Sequence, residues 1–232
     1  MSAAVRTRRR ETVARDQHES AFASILAGLV KRVPGARAAA LVDRQGETVD
    51  YSGHIDPFGV RLAAAHWRIV IDEVNSQDTF RPVRWLALRA GRASYLVHEL
   101  PDEYALIVVL ARAAGFFGWR RAVSACAHAL GHEAGWSLSG TPWFPLQVTA
   151  DERRRPCSLR SEAPGARPRP IVILGTVAGG LARRERGWRV RFDTGVEATL
   201  VREPGGVWYS DEPLESGGPD AKARHGTREK TR

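Results

Sequence analysis

The segment 103–111 constrains the fold of this chain more than any other, because it is apolar at every position from Ala105 to Leu110. A strand that is apolar on both faces has to lie inside a sheet, with helices or other core on each side. The apolar stretch ends at Arg112 and is less than half as long as a helix that crosses a bilayer. We therefore expect a layered domain and no membrane span.

Two helices and a hairpin precede this strand. Apolar residues at spacings of three and four predict the first helix over 20–33. Two short apolar strands within 36–51 flank a polar turn and predict a hairpin. Asp56 followed by Pro57 is a favourable helix start, and it predicts a second helix over about 57–74. One face of that helix carries Phe58, Leu62, Ala65, His66, Ile69 and Val70.

Three further strands, 83–89, 92–99 and 103–111, are separated by short turns and predict an antiparallel meander. A third helix is predicted from about Phe116. Its apolar face carries Trp119, Val123, Cys126, Ala127 and Leu130. The predicted order is α-β-β-α-β-β-β-α, an α/β fold of the α+β kind with a five-stranded antiparallel sheet.

This order and the sequences that mark it resemble the roadblock/LC7 family over residues 20–136. The marks are Val33-Pro34-Gly35-Ala36, the hairpin 39–46, Ala63-Ala64-Ala65, the turn and strand from Gly91 to Tyr95, and the strand from Tyr104 to Leu110. The resemblance implies a domain that binds other proteins and forms homo- or heterodimers through sheet edges and second helices. Many members regulate small Ras-like GTPases, and bacterial members of the MglB type help to set cell polarity.

The resemblance also implies where a homodimer would form, since an edge strand is stabilised by pairing with a partner. The implied dimer interface consists of Leu62, Ala65, His66, Ile69, Arg84, Leu86 and Leu88. For the GTPase we expect contacts through the exposed side of the second helix, because Trp and Arg are frequent anchors at interfaces. The candidate partner-binding residues are Arg61, Trp67, Arg68 and Asp72.

The second half of the chain has a different character. Residues 137–170 show little periodicity and are interpreted as a Pro/Arg-rich linker. From 171 to 210, short apolar strands recur about every ten residues between glycine-containing turns, which predicts a small all-β module similar to an SH3 barrel. The polar ends, 1–19 and 211–232, are predicted to be disordered tails.

No arrangement of side chains in the sequence predicts catalysis. His128 and His132 stand four residues apart on the third helix, but no third metal ligand accompanies them. The glycines within 175–180 are not followed by the lysine of a phosphate-binding loop. Cys126 and Cys157 form no CxxC pair, so we interpret them as reduced structural thiols. We therefore predict no catalytic, cofactor-binding or metal-binding residue, and we do not expect an enzyme.

The net charge of +9 raises the question of nucleic acid, but the positive charge is dispersed along the chain. Residues 20–136 hold 13 Arg and Lys against 11 Asp and Glu, so we expect no specific nucleic-acid partner. The arginine-rich beginning lacks the apolar region of a secretory signal, which predicts a cytoplasmic protein with no membrane partner. The main hypothesis is a homodimeric regulator or adaptor of a small Ras-like GTPase, with stimulation of GTP hydrolysis as one form of regulation. The alternative is a dimeric scaffold whose C-terminal β module binds a peptide or nucleic acid.

Overall fold

The computed structural model describes residues 20–80, 82–162 and 165–214. The chain divides into two compact units between Gly140 and Thr141, called here the N-terminal unit and the C-terminal unit. Within the described residues, no helix is both long enough and apolar enough to cross a membrane. The tail predicted at 1–19 lies outside the described residues, and so does most of the tail predicted at 211–232.

The N-terminal unit is the predicted α+β domain. Its elements are α1 (Ala21–Arg32), β1 (Ala36–Val42), β2 (Thr48–Gly53), α2 (Pro57–Ser76), β3 (Trp85–Arg89), β4 (Ala93–Glu99), β5 (Ala105–Ala111) and α3 (Arg120–Ala134). The five strands form one antiparallel sheet in the order β2-β1-β5-β4-β3. The element order and the five-stranded sheet are confirmed. β5 lies in the middle of the sheet, as its two apolar faces predict.

Local sequence sets where the first two helices begin. The Ser20 hydroxyl oxygen accepts a hydrogen bond from the Ala23 N–H at 3.2 Å, and Asp56 accepts one from the Gly59 N–H at 2.9 Å. These bonds satisfy backbone donors that have no partner within the first turn of a helix. Pro57 occupies the first turn of α2, where its missing N–H carries no penalty.

The third helix begins at Arg120, later than the predicted start at about Phe116. Gly118 has a φ of 62°, a left-handed conformation that interrupts a right-handed helix. Phe117 is 57% exposed, so the residues before α3 also lie outside the helix's apolar face. That face is buried as predicted and comprises Trp119, Val123, Cys126, Ala127 and Leu130.

Helices cover the sheet on both faces. Side chains alternate along a strand, and Val97 and Ile107 point to the side where they cluster with Ala64 of α2. Their neighbours Leu96 and Leu106 point to the other side and are also buried. α1 packs against β1, β2 and α3 and covers that second side. The sheet therefore lies between α2 on one face and the α1–α3 pair on the other.

The C-terminal unit is a closed barrel of six strands in the order β10-β11-β6-β7-β8-β9. The strands are β6 (Phe144–Ala150), β7 (Pro156–Ser161), β8 (Arg169–Val177), β9 (Arg186–Phe192), β10 (Glu197–Arg202) and β11 (Trp208–Ser210). Trp188 and Trp208 stack in its core with ring centroids 5.1 Å apart. Leu146 and Leu159 are buried in the same cluster. Leu214 packs against this cluster, although it falls in the segment predicted as a disordered tail.

The structure differs from the sequence prediction over 137–170, where a linker was expected. This interval contains β6, β7 and the beginning of β8, and two of its leucines belong to the barrel core. The prolines obscured these strands, because Pro156 and Pro170 stand at or next to the first residue of a strand, where a missing N–H is tolerated. The β module therefore begins near residue 144, and the four strands predicted for it form only part of the barrel.

Candidate protein-interaction surface

α2 carries large apolar side chains on its solvent side. Phe58, Leu62 and Ile69 are 72%, 60% and 67% exposed, and Ala65 between them is half-buried. Their spacings of four, three and four residues place them on one face of the helix. These four residues are called the α2 stripe. Single exposed apolar residues are common on protein surfaces, but a continuous row of them is typical of an interaction surface.

The α2 stripe is separate from the face of α2 that packs on the sheet. Val60, Ala64 and Ile71 fill that packed face and are fully buried. His66, a residue of the implied dimer interface, is exposed on the solvent side with the stripe. α2 therefore has two apolar faces, and the N-terminal unit covers only one of them.

β3 forms one edge of the sheet. It pairs with β4 on one side and with no strand on its other side among the described residues. Leu86 and Leu88 are half-buried, and Leu86 packs against the core cluster that contains Ala64 of α2. Arg84 has an exposed side chain just before the strand, and its carbonyl accepts a hydrogen bond from the Glu99 N–H at 2.8 Å. Leu86 and α2 thus lie on the same face of the sheet, beside an open strand edge.

The residues predicted to contact a partner are mostly held by contacts inside the N-terminal unit. Arg68 is 3% exposed, and its Nε donates a hydrogen bond to Asp72 Oδ2 at 3.1 Å. The Trp67 ring lies 4.8 Å from that of Tyr95 and packs against the core. The Arg61 guanidinium lies 5.6 Å from the centre of a tyrosine ring on β2. The exposed position expected for Arg68 is therefore wrong, whereas Trp67 is half-buried and Asp72 is exposed.

A cleft of about 220 Å³ lies between β3 and α3. Trp85 and Trp119 line it with ring centroids 5.4 Å apart, and the Arg120 guanidinium lies 5.0 Å from the centre of the Trp85 ring. His98 and His128 also line it, and burial lowers the pKa of both imidazoles below the ordinary 6.5. The sequence did not predict this cleft, because only the folded sheet brings the two tryptophans together. The available signal was a tryptophan on a predicted edge strand.

The two cysteines lie in contrasting environments. Cys126 is buried in α3, and burial raises the pKa of its thiol to about 12. Cys157 is exposed on β7. In the part of the chain that the structure describes, no three His, Cys, Asp or Glu side chains are grouped to hold a metal ion.

Comparison with known proteins gives similarity in structure alone. No protein-family model matches the chain, and no curated protein matches it. MglB of Myxococcus xanthus is 12% identical, with 51% of this chain and 98% of that chain covered at a TM-score of 0.44. The gliding protein MglB from Thermus thermophilus is 17% identical, with 50% and 89% covered at a TM-score of 0.42. A roadblock/LC7 domain from Streptomyces avermitilis is 18% identical, with 47% and 88% covered at a TM-score of 0.35.

The N-terminal unit has the α-β-β-α-β-β-β-α order and the five-stranded antiparallel sheet that the sequence resemblance implies. About half of the chain accordingly has the fold that the resemblance to the roadblock/LC7 family leads us to expect.

Proposed function

We propose that this chain is a homodimeric regulator or adaptor that acts by binding a small Ras-like GTPase. The observation that carries the proposal is the α2 stripe, which lies exposed in a roadblock/LC7-like domain that also has an open edge at β3. The dimer would form through these two features. The GTPase is the partner that the family resemblance implies.

Burial of the α2 stripe supplies a driving force for dimerisation. Moving one large apolar side chain from water into a packed interface stabilises it by about 1.5–3 kcal/mol. Phe58, Leu62 and Ile69 are each more than half exposed in the single chain. In a twofold dimer the same surface meets its own copy, so each side chain contributes twice. The small Ala65 in the middle of the stripe would allow the two helices to approach closely.

The open edge of β3 supplies directional contacts. Antiparallel pairing with β3 of a second copy would satisfy the main-chain groups on this edge and join the two sheets. Leu86 and Leu88 would then meet their counterparts near the two α2 helices. Both copies use the same residues, so the interface closes on itself and gives a dimer, not a filament.

Sedimentation of the full chain at micromolar concentration tests the dimer. Ile69→Glu should shift it to a monomer, because the interface would bury a carboxylate without a partner. Val49→Glu is the matched control, since Val49 is 40% exposed on β2 at the opposite edge of the sheet. This control should remain a dimer, and both variants should keep the helical content of the parent. A monomeric parent chain, or equal dissociation by the two variants, would contradict the proposed interface.

The GTPase part of the proposal has a separate test. Small Ras-like GTPases from the same organism, loaded with GDP or with a non-hydrolysable GTP analogue, are presented to the full chain. We expect one nucleotide state to bind more tightly, because a regulator must distinguish the two conformations. Asp72→Asn should weaken this binding, since Asp72 is the exposed member of the Arg68–Asp72 pair. Failure of both nucleotide states to bind would remove the GTPase from the proposal and leave the dimer untouched.

We also propose that the domain regulates without an arginine finger. Such a finger needs a preorganised, protruding guanidinium, and its loss reduces hydrolysis by about a thousandfold or more. At the β1–β2 turn, Arg44 forms a salt bridge with Glu103, with 2.8 Å between Nε and Oε2. Arg92 is exposed at the β3–β4 turn. Arg44→Ala, Arg61→Ala and Arg92→Ala should each cause modest losses in single-turnover hydrolysis that follow weakened binding. A variant that binds normally but loses nearly all stimulation would overturn this mechanism. Arg68→Ala is a poor test, because Arg68 is buried.

A further inference from the structure

One strand of the barrel has a long open edge. β8 pairs with β9 from Ile171 to Val177, but with β7 it pairs only at Arg169 and Pro170. Among the described residues, no other strand pairs with the β7-facing edge of β8 over 171–177. At about 3.3 Å per residue, this edge is roughly 23 Å long. It is therefore long enough to receive another extended segment.

The sequence explains why β7 and β8 separate. β7 begins at Pro156, which has no N–H to donate to a neighbouring strand. β8 contains an irregularity between Ile173 and Gly175, where its register with β9 shifts. A bulge of this kind bends a strand and increases its twist. Both features move β8 away from β7 beyond Pro170.

The open part of β8 presents apolar side chains to solvent. Val172, Ile173 and Leu174 are 60%, 37% and 40% exposed. Strict alternation would turn at least one of three consecutive side chains into the barrel, but the bulge leaves all three partly outside. An exposed apolar strand edge of this kind is a template for pairing with another chain.

A positively charged cleft of about 460 Å³ lies at the Val177 end of this edge. Arg153, Arg155 and Arg186 line it, and Arg153 and Arg186 have no ion-pair partner among the described residues. Glu185 is the carboxylate of the lining, and its Oε2 accepts a hydrogen bond from a backbone N–H at 2.8 Å. Arg183 and Arg184 are exposed in the adjoining loop. The cleft therefore favours negatively charged groups.

We propose that the open edge of β8 binds an extended peptide of a partner protein, which adds to the barrel as a further strand. Apolar residues of the peptide would lie beside Val172, Ile173 and Leu174, and acidic residues would follow in the arginine cleft. Main-chain hydrogen bonds give such strand addition its affinity, while the side chains at both ends give it specificity. This site is independent of the GTPase and of the proposed dimer.

Charge argues against the ends of this same chain as the occupant. Residues 1–19 hold five Arg and three acidic residues, and residues 215–232 hold five Arg and Lys and three acidic residues. Both segments carry net positive charge, which the arginines of the cleft would repel. An acidic segment of another protein is therefore the better match.

The surface of the barrel also favours a peptide over nucleic acid. Small barrels that bind single strands stack the bases on exposed aromatic rings. The large apolar residues exposed on the described barrel are Val172, Ile173, Leu174 and Val196, all aliphatic. Trp188 and Trp208 are 5% and 6% exposed, because they stack on each other in the core. Since none of the exposed large apolar residues on the described barrel is aromatic, arginine supplies mainly salt-sensitive phosphate contacts there.

The test uses the full chain and a fluorescent peptide. In this peptide, nine residues of alternating valine and threonine are followed by four acidic residues. Fluorescence anisotropy should show saturable binding. Arg153→Glu combined with Arg186→Glu should weaken it about tenfold or more, because two attractions become repulsions. The matched control combines Arg160→Glu with Arg167→Glu, which reverses two exposed charges away from the cleft. This control should bind within about threefold of the parent. Equal weakening by the two double variants would overturn the assigned site.

A second pair of probes tests the strand addition itself. The same peptide, N-methylated at alternate residues, keeps its side chains but cannot donate half of its main-chain hydrogen bonds. We expect it to bind at least tenfold more weakly. A ten-nucleotide single-stranded DNA should bind more weakly than the parent peptide in 150 mM salt. Undiminished binding of the methylated peptide, tighter binding of the DNA, or no binding of the parent peptide would each overturn the proposal.

Discussion

The two units of this chain leave strand edges open in different ways. In the N-terminal unit the sheet has free ends, and β3 is exposed because the sheet stops there. In the C-terminal unit the barrel is closed, yet most of β8 is exposed on one side because only two residue pairs join it to β7. Both open edges lie beside exposed apolar side chains. Closure of a barrel therefore does not remove every open strand edge. Where two strands pair over only a few residues, the unpaired edge can receive another chain as readily as the last strand of a sheet.

The cores of the two units differ as well. The N-terminal core combines alanines with aliphatic residues, and Ala38, Ala40 and Ala64 occupy the contact between α2 and β1. The C-terminal core depends on two stacked tryptophans. Small residues make a contact intolerant of added volume, whereas large residues make it intolerant of lost volume. Opposite substitutions should consequently disrupt each unit.

The largest effect is expected for Ala64→Glu, since Ala64 is fully buried between α2 and the sheet. Burying an unpaired carboxylate and overpacking the contact should together cost more than about 5 kcal/mol. Hydrogen exchange followed by mass spectrometry should show loss of protection in β1, β5 and α2, with the barrel still protected. Ala27→Glu, on the exposed side of α1 and outside the proposed dimer interface, is the matched control and should keep that protection. Loss of protection in both units at once would show that they do not unfold separately.

The opposite change, a loss of volume in the barrel core, is Trp208→Ala, which removes one ring of the tryptophan pair. The lost burial and the remaining cavity should destabilise the C-terminal unit by about 3–5 kcal/mol. In the same exchange experiment, protection should fall in β6 to β11 and persist in the sheet of the N-terminal unit. Val172→Ala should leave protection unchanged, because Val172 is 60% exposed. Equal protection in the parent and Trp208→Ala would contradict the role of the stacked pair.

A smaller effect is expected at the beginning of α1. Ser20→Ala removes the bond from the Ala23 N–H and the contact with the Asp50 carboxylate. The N-terminal unit should lose about 1–2 kcal/mol of unfolding free energy. Urea denaturation followed by circular dichroism measures this change. Ser24→Ala lies on the exposed side of the same helix and should change stability by less than about 0.5 kcal/mol.

The smallest effect concerns pH. Burial, opposed by a hydrogen bond to the Arg84 carbonyl, lowers the pKa of His98 below its ordinary 6.5 in the folded protein. The unfolded chain therefore binds more protons as pH falls through 6.5 towards the lowered value, and unfolding free energy decreases over that window. Urea midpoints at pH 7.5 and 5.5 should differ less for His98→Gln than for the parent. His54→Gln, at an exposed position after β2, should retain the parent difference.

Local patterns were sufficient to predict the N-terminal fold. The order of its eight helices and strands follows from apolar spacing, capping residues and turn residues, all of which act within a few positions along the chain. The central place of β5 also followed from sequence, since six consecutive apolar residues cannot face water on either side. The barrel was only partly predicted. Prolines such as Pro156 and Pro170 are typical of linkers, and the sequence alone does not show that these two lie at the beginning of strands.

The candidate surfaces depended on tertiary structure, because the sequence alone does not decide which apolar face the sheet will cover. α2 has two such faces, and packing buries Ala64 and Ile71 while leaving Leu62 and Ile69 in water. The sequence predicted Arg68 to be a surface anchor, yet its position on the helix buries it, and its Nε donates a hydrogen bond to the exposed Asp72. Periodicity is a local property of the chain, whereas the burial of a face and the opening of a strand edge depend on every element packed around them.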